Sequence, residues 1–245
     1  MTCELTGDLQ VCSQVGIILP TFCEAQNIGK LISEIENLQL DASILVIDDS
    51  SPDNTSGIVK LLQRKYSNLL LLMRPEKSGL GTAITDGFRV FLNLKNPPKL
   101  IVTMDADYSH DPKEIPRLIE SAHGHPGLVI GSRYCKGGKT VGWPLTRKIV
   151  SRMANLFAKS ILGLSLHDCT SGFRCYSKEY LWRAIGNLHC TTYEIQIETL
   201  KQARMQGFRV KEIPVFFINR KRGKSKLTMT EIRSYVSYIF KTILS

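Results

Sequence analysis

Two carboxylates, Asp105 and Asp107, follow directly on an apolar run in the segment Leu-Ile-Val-Thr-Met-Asp-Ala-Asp-Tyr-Ser-His-Asp at residues 100–111. A buried strand over Leu100, Ile101, Val102 and Thr103 would carry the pair to its carboxyl end, where open α/β sheets bind ligands. Side chains two apart in an extended segment share a face, so both carboxylates can address one divalent cation, with the Ser109 hydroxyl and His110 close behind. This is the pattern of a metal and phosphate site. The same residues also suit a plain turn, because Asp111-Pro112 is a good helix start, with Asp as N-cap and Pro at the first position.

A second acidic strand end upstream favours the site. Ile44-Leu45-Val46-Ile47 runs into Asp48-Asp49-Ser50-Ser51-Pro52-Asp53, and an earlier apolar strand, residues 15–19, closes at Pro20-Thr21 ahead of Glu24. Right-handed crossovers between parallel strands bring such loops to one rim. A carboxylate there accepts from ring N–H groups or ribose hydroxyls, while the other pair reaches a pyrophosphate through the metal. A nucleotide fits this set. A dinucleotide dehydrogenase fits less well, since no G-x-G-x-x-G follows the first strand and the Gly79-x-Gly81 pair is too short to supply one.

The elements that must position these groups alternate. After the first strand, Ile28, Leu31, Ile32, Ile35 and Leu38 recur at helical spacing; after the second, Ser51 as N-cap with Pro52 opens a helix carrying Ile58, Leu61 and Leu62. Residues 69–73 make a third strand, and Ser78-Gly79-Leu80-Gly81-Thr82 leads into a helix with Ile84, Phe88 and Phe91. The central strand follows, then a helix with Ile115, Leu118, Ile119 and Ala122, then a strand over residues 128–131. Continuous apolar strands alternating with helices predict an α/β protein with a Rossmann-like, mostly parallel sheet flanked by helices.

Beyond Gly131 the rhythm changes. Residues 134–142 form a loop rich in Lys and Gly, and residues 146–162 an amphipathic helix with Val150, Met153, Phe157 and Ile161 on one face and Arg147, Lys148, Arg152 and Lys159 elsewhere. A helix over 192–206 ends at Gly207, and residues 210–218 read as one or two strands broken at Pro214. Five basic side chains then fall in the seven positions 220–226, before a terminal amphipathic helix opened by the capping box Thr228-x-x-Glu231.

With 245 residues, 43% hydrophobic and 22% charged, the chain can bury a large core as one domain. Its net charge of +10 points to anionic partners: a nucleotide, a lipid phosphate or nucleic acid. Seven cysteines without a C-x-x-C pair argue for a reducing compartment rather than a disulfide scaffold or zinc site. The amino-terminal ten residues lack the basic and apolar regions of a signal peptide, and no run reaches the roughly 18 apolar residues that span a bilayer. The expectation is a soluble or peripheral protein, unless a membrane-spanning partner holds it.

Seven short stretches occur in a familiar order: Leu19-Pro20-Thr21-Phe22-Cys23-Glu24, Ile47-Asp48-Asp49-Ser50-Ser51-Pro52-Asp53, Gly79-Leu80-Gly81-Thr82-Ala83, Met104-Asp105-Ala106-Asp107-Tyr108-Ser109-His110, Gly131-Ser132-Arg133-Tyr134, Thr170-Ser171-Gly172-Phe173-Arg174 and Lys224-Ser225-Lys226-Leu227. Together they resemble the dolichol-phosphate, or polyprenol-phosphate, mannosyltransferases, inverting family 2 glycosyltransferases of the GT-A fold. The resemblance implies a catalytic domain over residues 15–227 with a terminal amphipathic helix over 228–245. It implies GDP-mannose as donor, Mg2+ or Mn2+ as cofactor and dolichyl or another polyprenyl phosphate as acceptor. By position, Pro20, Phe22, Glu24, Ile47 and Asp49 would line the guanosine pocket, and Asp105, Ala106 and Asp107 would hold diphosphate and metal. Ser109 would be a further metal ligand, standing where some members have Gln. Arg133, Arg220 and Lys226 would neutralise phosphate charge on donor and acceptor, with Arg147 also toward the acceptor. The other departure is Phe22-Cys23, where the family usually has Tyr-Asn.

Two alternatives stay beside this. One is transfer of glucose or another sugar from UDP to polyprenyl phosphate; the other is a non-enzymatic binder of anionic membrane or nucleic acid. The second leaves both acidic strand ends without a task, so no nucleic-acid partner is expected. The lipid acceptor implies a place on the cytosolic face of a membrane, the endoplasmic reticulum in a eukaryote, reached through the 146–162 helix, the terminal helix or a small membrane-anchoring subunit. Residues 168–172 either line the sugar pocket or form a turn. Glu194 reads as structural, and His110, His123, His125, His167 and His189 as surface or capping residues.

Overall fold

A computed structural model describes residues 3–219. The basic run at 220–226, with Arg220 and Lys226, and the terminal helix expected over 228–245 lie outside the described residues, as does the side chain of Ile161. Four buried parallel strands form the centre of the sheet: β2 (Val15–Thr21), β3 (Ala42–Asp48), β4 (Leu69–Met73) and β5 (Leu100–Thr103), with β1 (Glu4–Thr6) antiparallel on the outer edge of β4. Helices α1 (Ala25–Glu36), α2 (Thr55–Leu62) and α3 (Leu80–Leu92) make the crossovers. The register sets Thr21 beside Asp48 and Asp48 beside Met73, so the loops after these strands open on one rim.

A short 3-10 turn at 112–114, capped by the Asp111 carboxylate, leads into α4 (Ile115–Ala122) and then β6 (Gly127–Ser132). The two-stranded sheet of β7 (Lys139–Val141) with β10 (Phe216–Ile218) stands apart, and α5 (Leu145–Leu162) follows β7. Strand β8 (Arg174–Ser177) runs antiparallel between β5 and β6, and α6 (Lys178–Ala184), α7 (Ile195–Met205) and β9 (Arg209–Pro214) complete the fold. The main sheet therefore has the order β1-β4-β3-β2-β5-β8-β6-β9. One face packs Leu31, Ile32, Val59, Ile115 and Leu118 of α1, α2 and α4; the other packs Ile84, Phe88, Tyr180, Leu181, Leu200 and Ala203 of α3, α6 and α7. Strands covered on both faces explain their unbroken apolar runs.

The mostly parallel sheet flanked by helices is as expected, and so is the break after Pro214. The helix expected at Ser51-Pro52 instead starts at Thr55. Ser51 is spent inside the preceding turn, and Asp53 takes over at the helix start, accepting from Thr55 N at 3.2 Å.

Candidate active site

Each of three strand-end loops holds a residue in the left-handed region: Cys23 at φ 57°, Ser50 at 51°, with Asn54 at 67° in the same loop, and Tyr108 at 61°. Residues with a Cβ keep that geometry only where neighbours over-determine it. Between the first two loops the neighbours are hydrogen bonds. Asp48 accepts from Ser51 Oγ at 2.6 Å, Ser51 N at 3.0 Å and Thr21 Oγ1 at 3.0 Å, while Cys23 N donates to Ser51 Oγ at 2.8 Å. Asp53 ties the same loops by accepting from Ala25 N at 3.0 Å and Thr55 Oγ1 at 2.6 Å. Burial raises the Asp53 carboxyl, but these donors outweigh it and hold it below the usual carboxylate range.

Asp49 has a different partner. Arg74, the residue after β4, places Nε and Nη2 each 2.6 Å from Asp49 Oδ1, and spends its remaining donors on Thr82 Oγ1, Asp86 and the Gly79 carbonyl. Burial pushes the Asp49 carboxyl up despite the guanidinium beside it. Chain order alone places Arg74 here, since a cation one residue beyond β4 falls beside the end of β3. Gly79 and Gly81 explain how this corner closes on the α7 side. A Cβ on Gly79, at φ 98°, would stand 2.3 Å from the Thr191 carbonyl, and one on Gly81 would stand 2.4 Å from that of Cys190.

Of the other residues expected around the base, Phe22 is half-buried under the Lys77 ammonium at 4.9 Å, and Glu24 is buried with Asn27 Nδ2 at 2.8 Å from its carboxylate. Pro20 sits near the end of β2. Ile47 differs from expectation: its side chain is fully buried, with Cδ1 against Gly87 of α3, so only its backbone can meet a base.

After β5, Asp107 is buried and Asp105 remains 40% exposed at the rim. Ser109 donates to Asp107 Oδ1 through its amide at 2.9 Å and its hydroxyl at 2.5 Å. The Ser109 hydroxyl, expected as a direct metal ligand, instead orients the Asp107 carboxylate. Ala106 is buried in the α1, α2 and α4 layer. His110, expected as a surface or capping residue, is buried and caps a backbone amide: it accepts from Asp105 N at 3.3 Å through Nδ1 and stacks on Phe173 with centroids 5.1 Å apart. Burial lowers its pKa, so the ring is neutral and braces the loop.

Arg133, expected to face phosphate, is buried and given to Asp168. Nε and Nη2 lie 2.7 Å from the two carboxylate oxygens, the Arg133 amide adds a bond of 2.9 Å, and Nη2 also reaches Thr170 Oγ1 at 2.6 Å. Burial alone would raise the Asp168 carboxyl, but Arg133 outweighs it and holds the group well below the usual range. Burial works against the Arg133 charge, but Asp168, with smaller help from Tyr134 and Asp105, outweighs it and holds the guanidinium pKa up. The 168–172 segment is a turn folded around the Asp168 carboxylate, with Gly172 beside Asp105.

The sequence model for glycosyl transferase family 2 matches residues 16–184, which contain all three rim loops and the Arg133–Asp168 pair. The chain belongs to that family. It is 34% identical to the polyprenol monophosphomannose synthase of Mycolicibacterium smegmatis, over 89% of this chain and 82% of the relative. It is 36% identical to the undecaprenyl-phosphate mannosyltransferase of Micrococcus luteus, over 86% of each. Solved structures share the fold: glucosyl-3-phosphoglycerate synthase of Mycobacterium tuberculosis, in complex with Mn2+, UDP and glucosyl-3-phosphoglycerate, has a TM-score of 0.65 at 18% identity, covering 96% of this chain and 80% of that one. A mannosyltransferase of Pyrobaculum calidifontis, in complex with GDP-Man and Mn2+, has a TM-score of 0.58 at 17% identity, covering 91% and 62%.

In this family 2 glycosyltransferase the acidic rim suits a substrate-borne cation. Among the described residues no group of three or more His, Cys, Asp or Glu could hold a metal. Asp105 and Asp107 supply two hard oxygen donors, and Mg2+-like ions are typically held by one or two carboxylates plus substrate phosphates. A second feature lies on α5. Leu145, Ile149, Val150, Met153, Leu156 and Phe157 are all outward, from 49% exposed at Ile149 to 72% at Leu145, and Val141 and Phe216 of the small sheet are each 50% exposed. Arg147, half-buried at the start of this helix, reaches Asn219 Oδ1 at 3.0 Å and lies 4.1 Å over Trp143. Among the described residues no helix is long and apolar enough to cross a membrane.

Proposed function

We propose that this family 2 glycosyltransferase transfers mannose from GDP-mannose to a polyprenyl phosphate of the dolichyl class, using Mg2+ or Mn2+. The observation that carries the reading is the match over most of the chain to two relatives named for joining mannose to a polyprenyl phosphate. The geometry supports it. The loops after β2 and β3 would take the nucleotide, and Asp105 and Asp107 would hold the cation against its diphosphate. A divalent ion there supplies the positive charge that stabilises a leaving nucleoside diphosphate. Arg133, bound to Asp168, would stand behind the rim as a preorganised ion pair that needs no reorganisation during reaction rather than as a free cation.

A phosphate acceptor is ionised near neutral pH and needs no general base. Attack opposite the leaving group would turn the α-linked donor into a β-mannosyl phosphate. Arg147, with Arg220 and Lys226 from the basic run, would draw the acceptor phosphate in. The catalytic unit of this reading spans residues 15–227.

The lipid chain is met, in the same reading, by the outward apolar face of α5, whose Lys148, Arg152 and Lys159 suit anionic head groups. The 228–245 stretch would add a second such helix or dock on a small anchoring subunit. The enzyme would then sit on the cytosolic face of its membrane, the endoplasmic reticulum in a eukaryote. Competition tests the donor: GDP-mannose, UDP-glucose and UDP-N-acetylglucosamine are offered in parallel with a short polyprenyl phosphate and Mg2+ or Mn2+. Mannosyl lipid alone is expected; glucosyl lipid alone would move the reading to UDP-sugars.

A further inference from the structure

The acidic rim accounts for the diphosphate and leaves the hexose unread. Behind the rim, the fully buried Arg174 of β8 spends its guanidinium entirely on neutral oxygens. Nε donates to the Ser171 carbonyl at 2.7 Å, Nη2 to that of Cys169 at 2.7 Å, and Nη1 to the Gln196 carbonyl and Thr199 Oγ1, each at 2.8 Å. One side chain thus fastens the 169–172 loop to the first turn of α7. It brings Gly172 and Gln196 together beside Asp105. A carbon added to Gly172 would lie 3.5 Å from Gln196 Nε2 and 3.6 Å from Asp105 Oδ1, ordinary contact distances on either side of one small cradle.

Gln196 is 3% exposed, and its Oε1 is sealed from solvent with no hydrogen-bond partner among the described residues. A buried amide oxygen left unpaired is costly and calls for an explanation. Packing does not supply one, since a methionine would fill the same space without the penalty. We propose that Gln196 reads the transferred sugar: its amide, whose Nε2 faces the Gly172 position beside Asp105, turns over when the donor binds and brings the unpaired Oε1 to a hydroxyl of the hexose. This rests on the mannosyl-transfer reading and deepens it by naming a residue that selects the sugar. Sites built to hydrogen-bond a substrate hydroxyl discriminate against analogues that lack it, because the protein group is then left unpaired.

The test compares wild type with Gln196→Met and Gln196→Glu in two measurements with Mn2+. The first is calorimetric binding of GDP and of GDP-mannose. The second is kcat/KM for GDP-mannose and for GDP-mannose analogues each lacking one sugar hydroxyl. GDP affinity is expected to stay within about twofold of wild type in both variants, while kcat/KM for GDP-mannose falls about tenfold in the methionine variant, the size of one neutral hydrogen bond. The glutamate variant, which keeps an acceptor oxygen, recovers part of that loss. One deoxy donor must be handled poorly by wild type and no worse by the methionine variant. If every deoxy donor loses as much in the variant as in wild type, Gln196 does not touch the sugar. Should the methionine variant fail to fold, Gly172→Ala fills the cradle from the opposite side and must weaken GDP-mannose while sparing GDP. If wild type binds GDP but never turns over GDP-mannose, the mannosyl reading itself has failed, and this assignment falls with it.

Discussion

Replacing Asp168 by Asn keeps the size of the side chain but removes one charge from a buried pair and turns an NH2 against donors that now meet an oxygen. Arg133 and Asp168 are 7% and 0% exposed, with paired contacts of 2.7 Å on both carboxylate oxygens. Leaving one member of a buried pair uncompensated costs about 3–5 kcal/mol. At about 2–4 °C per kcal/mol for a domain of this size, Asp168→Asn should lower Tm by about 6–20 °C. Circular dichroism melts in one buffer would measure it. The double variant Arg133→Met with Asp168→Asn should recover much of the loss, because no lone charge is then buried. A shift under about 2 °C, or a double variant as unstable as the sum of the singles, would refute the assignment of Arg133 to Asp168 and restore it as a cation open to phosphate.

The same pair sets a pH dependence. The folded Asp168 carboxyl binds its proton more weakly than the unfolded one, so its stabilisation is complete above about pH 4 and is lost as pH falls through the lower folded value; urea midpoints across acidic pH would show that slope, and Asp168→Asn would flatten it. Arg74→Met should strand the buried Asp49 carboxyl, push its pKa further up and move the acid limb of GDP binding to higher pH, as read by calorimetry; an unmoved limb would show that Asp49 does not serve the nucleotide. Gly81→Ala drives a methyl into the Cys190 and Thr192 carbonyls and should cost about 1–3 kcal/mol, seen as a lowered denaturation midpoint. Disulfide reagents should label the exposed Cys3, Cys12 and Cys23 in the native protein. Cys169, whose thiol burial pushes up to about 12, and the buried Cys175 should react only on unfolding.

The four central strands were legible because burial on both faces leaves no polar alternation to obscure them, and the acidic residues could be placed at their ends from chain order alone. Strand β8 was not legible. It is four residues long, Arg-Cys-Tyr-Ser, and its arginine reads as polar although it is buried and satisfied by carbonyls. The Arg133–Asp168 pair joins positions 35 apart in sequence, and no periodicity connects them. His110 reads as a surface residue until Phe173, delivered by the segment leading into β8, is stacked against it. Arg74 too was within reach of chain order, since β4 neighbours β3 in the sheet. What sequence hid was therefore tertiary pairing rather than local structure.

The most direct test of the account is formation of mannosyl polyprenyl phosphate by wild type and by Asp107→Ala, each with GDP-mannose and either Mg2+ or Mn2+, followed as radiolabel moving into the lipid phase. The account predicts cation-dependent product from wild type and a loss of several orders of magnitude in the variant, which must still show a cooperative melt although the Ser109 donors lose their acceptor. Product formed at similar rates by both proteins, or by wild type in chelator, would contradict a reaction built on the acidic rim after β5.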